Sequence, residues 1–531
     1  MTRSRVAWLV PLALGVMAVL VLLSRASRAT PHVRDEVVTA LSERFQGDVT
    51  IDELQVGVFP RPEVNGASVT VAIGGAAGPE PLLRLGTFDA SAGLLGLIGN
   101  PVRLRTVTLE NLEILIPPGG LRRVRGSRAS GVGPPDKTTT EERDTVPESA
   151  ERPRTRLVID EVVARAAQLR IASKDPGKLP RVFDIHDLHI FGYGGKDGSE
   201  FRAKLTNPTP RGLIRTTGRF GPWQARGPRT TPLTGEYVFE KADLNTIKGL
   251  GGTLSSKGQY TGVLERIEVT GDTETPDFSI DIGGRAVPLT TRFKAIVDGT
   301  NGNTYLEQVD ARLFESHIHA KGSVVRTADV KGRHVTLDIT IDKARIEDLL
   351  RLAAKGSKPV LTGAIRLRSK FRLPAGEADV SRRLHLDGDF SLDQARFTNF
   401  NIQERINELS KKGKGDESAG GGPGVVSRLR GRFVMNNATL AFSDLTFGVP
   451  GASVQLVGSY NLDSEALDFT GHLLLDASLR DTQSGMKAVL ATVAQPFFRR
   501  KGGGSKIPIR IGGTTAKPQI GLDVKRALRP G

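Results

Sequence analysis

The chain has 531 residues, a formal net charge of +16, 38% hydrophobic and 5% aromatic residues, and no cysteine. The missing cysteines exclude disulfides and thiolate chemistry, and the scarcity of aromatics argues against a base-stacking nucleic-acid platform. With 61 glycines and 30 prolines between short apolar runs, the composition is that of an all-β chain with many turns, and the cationic surplus points to an anionic membrane surface rather than nucleic acid.

In chain order, residues 1–5 form a short tail. Val6 to Leu23, 18 residues without a charge, follow Arg3 and Arg5 and precede Arg25 and Arg28. As a helix this run spans about 27 Å, just enough for a bilayer core; it is longer than a usual signal core and no clear small-x-small cleavage site follows it, so it reads as an uncleaved transmembrane anchor rather than a cleaved secretory signal. Arginines on both flanks leave its orientation open. Region 24–116 begins with an amphipathic helix over 31–45, carried by Val33, Val37, Val38, Leu41 and Phe45, and continues as strands. The alternation in 104–118 changes phase between Leu109 and Leu112, which predicts a bulge or kink.

Residues 117–155 are Pro, Gly, Ser and charge with almost no apolar side chains, and they read as a disordered linker; 411–424 is a second such break. Region 156–380 is β-rich, and 381–531 forms a C-terminal region. Clean period-two faces run through Val335, Leu337, Ile339 and Ile341; through Ile365, Leu367, Ser369, Phe371 and Leu373; and through Leu384, Leu386, Phe390 and Leu392. Another holds Leu467, Phe469, Leu473, Leu475, Ala477 and Leu479. The terminal stretch 505–524 places Ile507, Ile509 and Ile511 on one strand, then a Gly turn, then Ile520 and Leu522 on another. The opposite phases carry charge, so each strand has a dry and a wet face. Helical spacing is expected over 341–355, 401–412 and 484–501, covering the sheet or capping its ends. In the last of these Phe497 and Phe498 precede Arg499, Arg500 and Lys501, a pattern that also suits a membrane surface.

Chemistry-bearing motifs are scarce. The chain contains no nucleophile elbow, phosphate loop, zincin or dinucleotide fingerprint. His317 and His319 share a strand face and His186 and His189 lie close together, but without accompanying ligands they read as solvated strand residues. The loop 298–304, with Asp298, Asn301 and Asn303, lacks the terminal glutamate of a calcium loop and reads as a hairpin turn. No enzyme, metal or cofactor is expected.

The fold expected from these patterns is mainly β: an N-terminal transmembrane helix, then a long amphipathic antiparallel sheet curled into a groove, with a few short covering helices. The stretch LRGRFVMNNATLAFSDLTFGVPGASVQLVGSYNLDSEALDFTGHLLLDA and the ending GMKAVLATVAQPFFRRKGGGSKIPIRIGGTTAKPQIGLD resemble the C-terminal region of the AsmA family of bacterial envelope proteins. ARFTNFNIQERINELSKKGKG (395–415) and, at the front, FPRP (59–62) also resemble members of this group. The resemblance implies an inner-membrane anchor through 6–23 with the bulk of the chain in the periplasm. It also implies a groove fold related to bridge-type lipid carriers such as TamB, and a role in outer-membrane biogenesis by phospholipid movement. Val335, Leu337, Ile339, Leu384, Leu386, Phe390, Leu467, Phe469, Leu473, Leu475, Ile507, Ile509, Ile511, Ile520 and Leu522 are the candidate groove residues. The expected partners are the inner membrane, phospholipid, and the outer membrane or a protein in it; nucleic acid is not among them. A periplasmic scaffold that assists outer-membrane protein assembly without binding lipid is the alternative.

Overall fold

The computed structural model describes residues 38, 39, 42, 48–57, 62–72, 81–93, 96, 101–116, 157–171, 180–222, 224, 228–281, 285–326, 330, 332–353, 359, 361–398, 427–476, 505–515 and 517–522. The expected anchor (6–23), the linkers 117–155 and 411–424, and the expected helices 401–412 and 484–501 lie outside these residues. Of the expected helix 31–45, Val38, Thr39 and Ser42 are described and helical. Among the described residues no helix is long and apolar enough to cross a membrane.

The fold is mainly β. The chain divides into two compact units, one of Met1–Pro208, Gly212–Phe239 and Gln259–Ile267, the other of Thr209–Arg211, Glu240–Gly258 and Glu268–Gly531. The first unit holds β1 (Asp48–Gly57), β2 (Glu63–Ala72), β3 (Leu83–Ala92), β4 (Val102–Ile116), β5 (Leu157–Ile171), β6 (Arg181–Tyr193) and β7 (Ser199–Pro208). Each pairs with the next in sequence. Every joint is antiparallel except β4–β5, which is parallel from Val102↔Leu157 to Ile116↔Ile171. This corrects the expectation of an antiparallel sheet throughout. A parallel neighbour needs a long crossover, and the 40-residue interval from 117 to 156 between these strands supplies its length.

Six of these strands change phase along one transverse crease. Asp52 lies opposite Ser68, Ser68 opposite Gly86, and Gly86 opposite Asn111, which is level with Ala166, itself opposite His186. Ser68, Asn111 and Ala166 have φ of 54°, 55° and 49°, the left-handed bulge geometry that flips alternation without ending a strand. The phase change read between Leu109 and Leu112 is the β4 section of this crease. Apolar side chains on both sides of it therefore feed one core: Leu83 and Leu85 with Phe88 and Ala90, and Leu109 with Leu112 and Ile114.

β8 (Arg211–Phe220), β9 (Pro232–Asp243), β10 (Leu250–Gly251), β11 (Thr253–Val263) and β12 (Arg266–Ile280) follow, with β9, β11 and β12 contributing residues to both units. The second unit continues with β13 (Val287–Val297), β14 (Thr304–Leu313), β15 (Ser316–Val325), β16 (His334–Arg345), α1 (Ile346–Ala353), β17 (Leu361–Leu373), α2 (Val380–Arg383) and β18 (His385–Phe397). It ends with β19 (Ser427–Asn436), β20 (Thr439–Val449), β21 (Ala452–Asn461), β22 (Leu467–Leu475), β23 (Ser505–Gly513) and β24 (Pro518–Leu522). From β13 to β24 each strand is antiparallel to the next.

The helix expected over 341–355 starts later, at Ile346. Ile341 and Ala344 stay in β16, buried opposite Leu367 and Ile365 of β17, and the helix begins where Glu347 and Asp348 favour its N-terminal turn. Both carboxylates are buried and bonded: Ser316 Oγ donates to Asp348 at 2.8 Å, while Arg345 Nε (2.8 Å) and Gly363 N (3.2 Å) donate to Glu347. Ile346 and Leu349 pack on Ile341, Ala344, Ile365 and Leu392. The Asp298 loop is the expected turn between β13 and β14, with Asp298 N donating to Asn303 O at 2.8 Å and Asp298 Oδ1 accepting from Thr300 N at 2.8 Å.

Candidate functional site: the apolar face of the second unit

The dry faces of β16–β24 align laterally because antiparallel register places like phases opposite one another. One row runs Ile341, Leu367, Phe390, Gly431, Leu445, Leu456, Gly471, Ile509 and Leu522. The next runs Ile339, Ser369, Gly388, Phe433, Phe442, Gly458, Phe469, Ile511 and Ile520. Outer rows place Leu337 opposite Phe371, Phe371 opposite Leu386, Leu473 opposite Ile507 and Leu475 opposite Ala452.

Fourteen of the fifteen candidate groove residues stand on these strands at dry-face register positions: Val335, Leu337, Ile339, Leu386, Phe390, Leu467, Phe469, Leu473, Leu475, Ile507, Ile509, Ile511, Ile520 and Leu522. Leu384 is the exception. It closes α2, its N–H donating to Val380 O at 2.9 Å, and precedes β18 rather than lying on it. Phe497, Phe498, Arg499, Arg500 and Lys501 lie outside the described residues.

β19–β21 supply the middle of the face, which the sequence reading passed over. The period-two run Leu429, Phe433, Met435 was available as a signal, but β20 conceals its face. Phe442 and Leu445 are three apart because the register shifts between them, so the alternation looks broken. Here the aromatics pack in series: Phe390–Phe433, Phe433–Phe442 and Phe442–Phe469 are tilted pairs with ring centroids 6.2, 6.5 and 5.9 Å apart, within the range of favourable aromatic contacts. Gly458 makes room for this strip, since a Cβ there would stand 2.8 Å from Phe469 Cδ1.

The two units treat their dry faces differently. In the first, Ile51, Leu104, Val107 and Ile159 are at most 1% exposed within one continuous core. In the second, Leu337, Ile339, Leu367, Phe390, Leu445, Leu456, Leu473, Ile507, Ile509 and Ile511 are only half-buried. Full burial in β16–β23 gathers under α1, at Ile341, Ile365 and Leu392, at Val449, Ala452 and Leu475, and along Phe433 and Phe469. Among the described residues α1 is the element packed over this face.

The wet face is charged in alternate strands. β17 presents Arg366, Arg368, Lys370 and Arg372; β18 presents Asp387, Asp389 and Asp393; β19 presents Arg428, Arg430 and Arg432. Register sets Arg368 opposite Asp389, Lys370 opposite Asp387, and Arg432 opposite both Asp389 and Asp444, and Arg366 bonds Asp393 at 2.8 Å.

Three of the four histidines singled out by the sequence, His186, His189 and His319, have local partners. His319 Nδ1 is 2.6 Å from Asp310 Oδ1, His186 Nε2 is 2.8 Å from Thr206 Oγ1, and His189 sits between Glu161 and Asp187 at 2.9 and 3.2 Å. Among the described residues no three His, Cys, Asp or Glu side chains converge as a metal site.

Compared with known proteins, the chain matches no protein-family model, no curated protein and no solved structure.

Proposed function

We propose that this chain is an inner-membrane-anchored, AsmA-like periplasmic protein that moves phospholipid along the apolar face of β16–β24 and so serves outer-membrane biogenesis. The observation that carries the reading is the half-buried, laterally continuous apolar face of nine consecutive strands. At ~4.8 Å per strand it extends ~38 Å across the sheet, and from Val335 to Ala344 it is ~30 Å along the strands. One leaflet of a bilayer core is about half that thickness, ~15 Å. Acyl tails laid on this face stay within its width while headgroups reach water. Each buried CH₂ contributes about 0.8 kcal/mol without distinguishing one chain from another, which suits a carrier that must bind and release.

A photocrosslinking residue placed at Leu337, Phe442 or Ile509 of the full chain in intact bacteria tests this. Wet-face positions Asp338 and Gln455 serve as controls. Phospholipid adducts at the first three and not at the controls are expected. A folded protein with no lipid adducts on the dry face would refute the reading and favour the assembly scaffold.

A further inference from the structure

The curl of the second unit is closed by a contact between segments far apart in sequence. Lys248 Nζ lies 2.9 Å from Asp379 Oδ1 and donates to Glu377 O at 3.2 Å. Beside them Val380 packs on Gly249, where a Cβ would stand 2.9 Å from Val380 Cβ. Lys248 and Gly249 precede β10, which pairs with the end of β12 through Leu250↔Ile280, and Asp281 N donates to Gly249 O at 3.1 Å. Asp379 and Val380 follow β17.

Register shows how unexpected this meeting is. β12 is tied to β13 by Thr273–Thr291 (2.6 Å) and Arg292–Asp272 (3.1 Å), and β13 to β17 are successive neighbours. Five strand spacings separate β12 from β17, ~24 Å in a flat sheet. The segment after β17 also leaves from the opposite strand end to the turn before β10, because Leu373 lies opposite Val335, whereas Ile280, Leu289, Leu313 and Ser316 mark the other end. In a flat sheet the two would be ~40 Å apart. A right-handed twist of about 20–25° per strand turns β17 by roughly 100–125° from β12, and coiling then brings these diagonal corners together. Wet-face residues on β16 and β17 such as Asp338, Arg368 and Lys370 are exposed, while Leu337, Ile339, Leu367 and Phe371 on the other face are crowded to half-burial, with no second strand layer over them among the described residues. The dry face is therefore the inner side of the curl.

We propose that Lys248, Gly249, Asp379 and Val380 form a releasable clasp that controls sideways entry of phospholipid to the inner face of β12–β17; this rests on the lipid reading above. The strand joints on either side are ladders of backbone hydrogen bonds. Among the described residues the clasp holds an ion pair with side chains 62% and 47% exposed, a bond to a carbonyl and a small apolar contact. An exposed ion pair of this kind contributes little beside a ladder of backbone hydrogen bonds, and salt screens it.

The chain's lack of cysteine makes the test direct. In the full-length protein, Gly249→Cys with Val380→Cys forms a reversible lock, and Lys248→Cys with Asp379→Cys bridged by a short bis-maleimide gives a second should the left-handed φ of +89° at position 249 disfavour the first. Lipid adducts at a photocrosslinker replacing Leu337 are counted with the lock closed and open. At least a tenfold loss on closure, reversed by reductant for the disulfide, is expected; equal yields in both states would overturn the clasp. If single-cysteine controls give no adducts at all, the lipid reading fails instead. The clasp is then judged by spin-label distances between positions 248 and 379: two populations that shift with salt support it, and one short distance at every salt concentration refutes it.

Discussion

Replacing Leu104 and Leu473 in turn by Asp separates a sealed core from an open face. Leu104 is 1% exposed, so Leu104→Asp forfeits the ~1.5–3 kcal/mol of a fully buried leucine and strands a carboxylate that can neither reach water nor find a partner. The combined cost is ~5 kcal/mol or more, on the scale of the ~5–15 kcal/mol that holds a domain together. Leu473, half-buried between Val454 and Ile507, forfeits about half the leucine value, ~0.8–1.5 kcal/mol, and a carboxylate there reaches solvent. Ile509→Asp belongs with Leu473→Asp. Urea unfolding with peptide-resolved hydrogen exchange reads both units in one sample. Leu104→Asp should abolish protection in β3–β5, whereas Leu473→Asp and Ile509→Asp should leave β21–β23 protected while removing lipid adducts. If the two groove variants unfold the second unit as thoroughly as Leu104→Asp unfolds the first, the face is a packed core and the transport reading falls with it.

Further expectations concern local devices. Asn111→Val should cost ~1–2 kcal/mol because a β-branched residue resists φ of 55°, while Asn111→Gly should be within ~0.5 kcal/mol of wild type; thermal melting distinguishes them. Asp389→Lys would line up three cations across β17–β19 and should cost ~1–2 kcal/mol at low salt, with most of the loss recovered at high salt in the same melt. Burial pushes the Glu347 carboxyl up, but bonds from its own N–H, Arg345 and Gly363 outweigh it and hold the carboxyl below its ordinary value. A depressed folded-state pKa contributes stability above the unfolded value of about 4.3 and loses it as pH falls through the lower folded one. Glu347→Gln should therefore flatten that acid limb of the unfolding midpoint; an unchanged limb would remove Glu347 as its source.

Much of the architecture was legible because strand alternation is a local property. The dry faces of β16, β17, β18, β22 and β23, the Asn301–Gly302 turn and the phase change before Leu112 all follow from residues within a few positions of one another. Which faces are sealed did not follow. Val69 and Val71 alternate no differently from Leu337 and Ile339, yet the first pair is 1% exposed and the second only partly buried, because curvature and covering elements decide burial. The parallel β4–β5 joint was hidden for a similar reason: a single strand's pattern does not state the direction of its neighbour. The late start of α1 reflects competition, since Ile341 and Ala344 suit a helical stripe and a strand equally until β17 pairs with them. Leu384 sits one residue before the ladder begins, a boundary that alternation alone does not mark.

The parallel joint also bears on how this protein assembles. Elsewhere in β1–β7 and β13–β24 each strand pairs antiparallel with the one before it, and apart from the 29-residue intervals before β19 and β23 the connections are 15 residues or fewer, so most of the sheet grows like a zip with low contact order. Between β4 and β5 that zip has to wait, because the partner for Val102–Ile116 begins only at Leu157 and must be carried back to run in the same direction. Closing this interval, the longest between successive strands, adds to the cost of that joint. A nascent chain halted before Leu157 would hold β4 with one edge unsatisfied, which marks this interval as a point at which folding is open to intervention by a chaperone or by a second, wrongly paired copy.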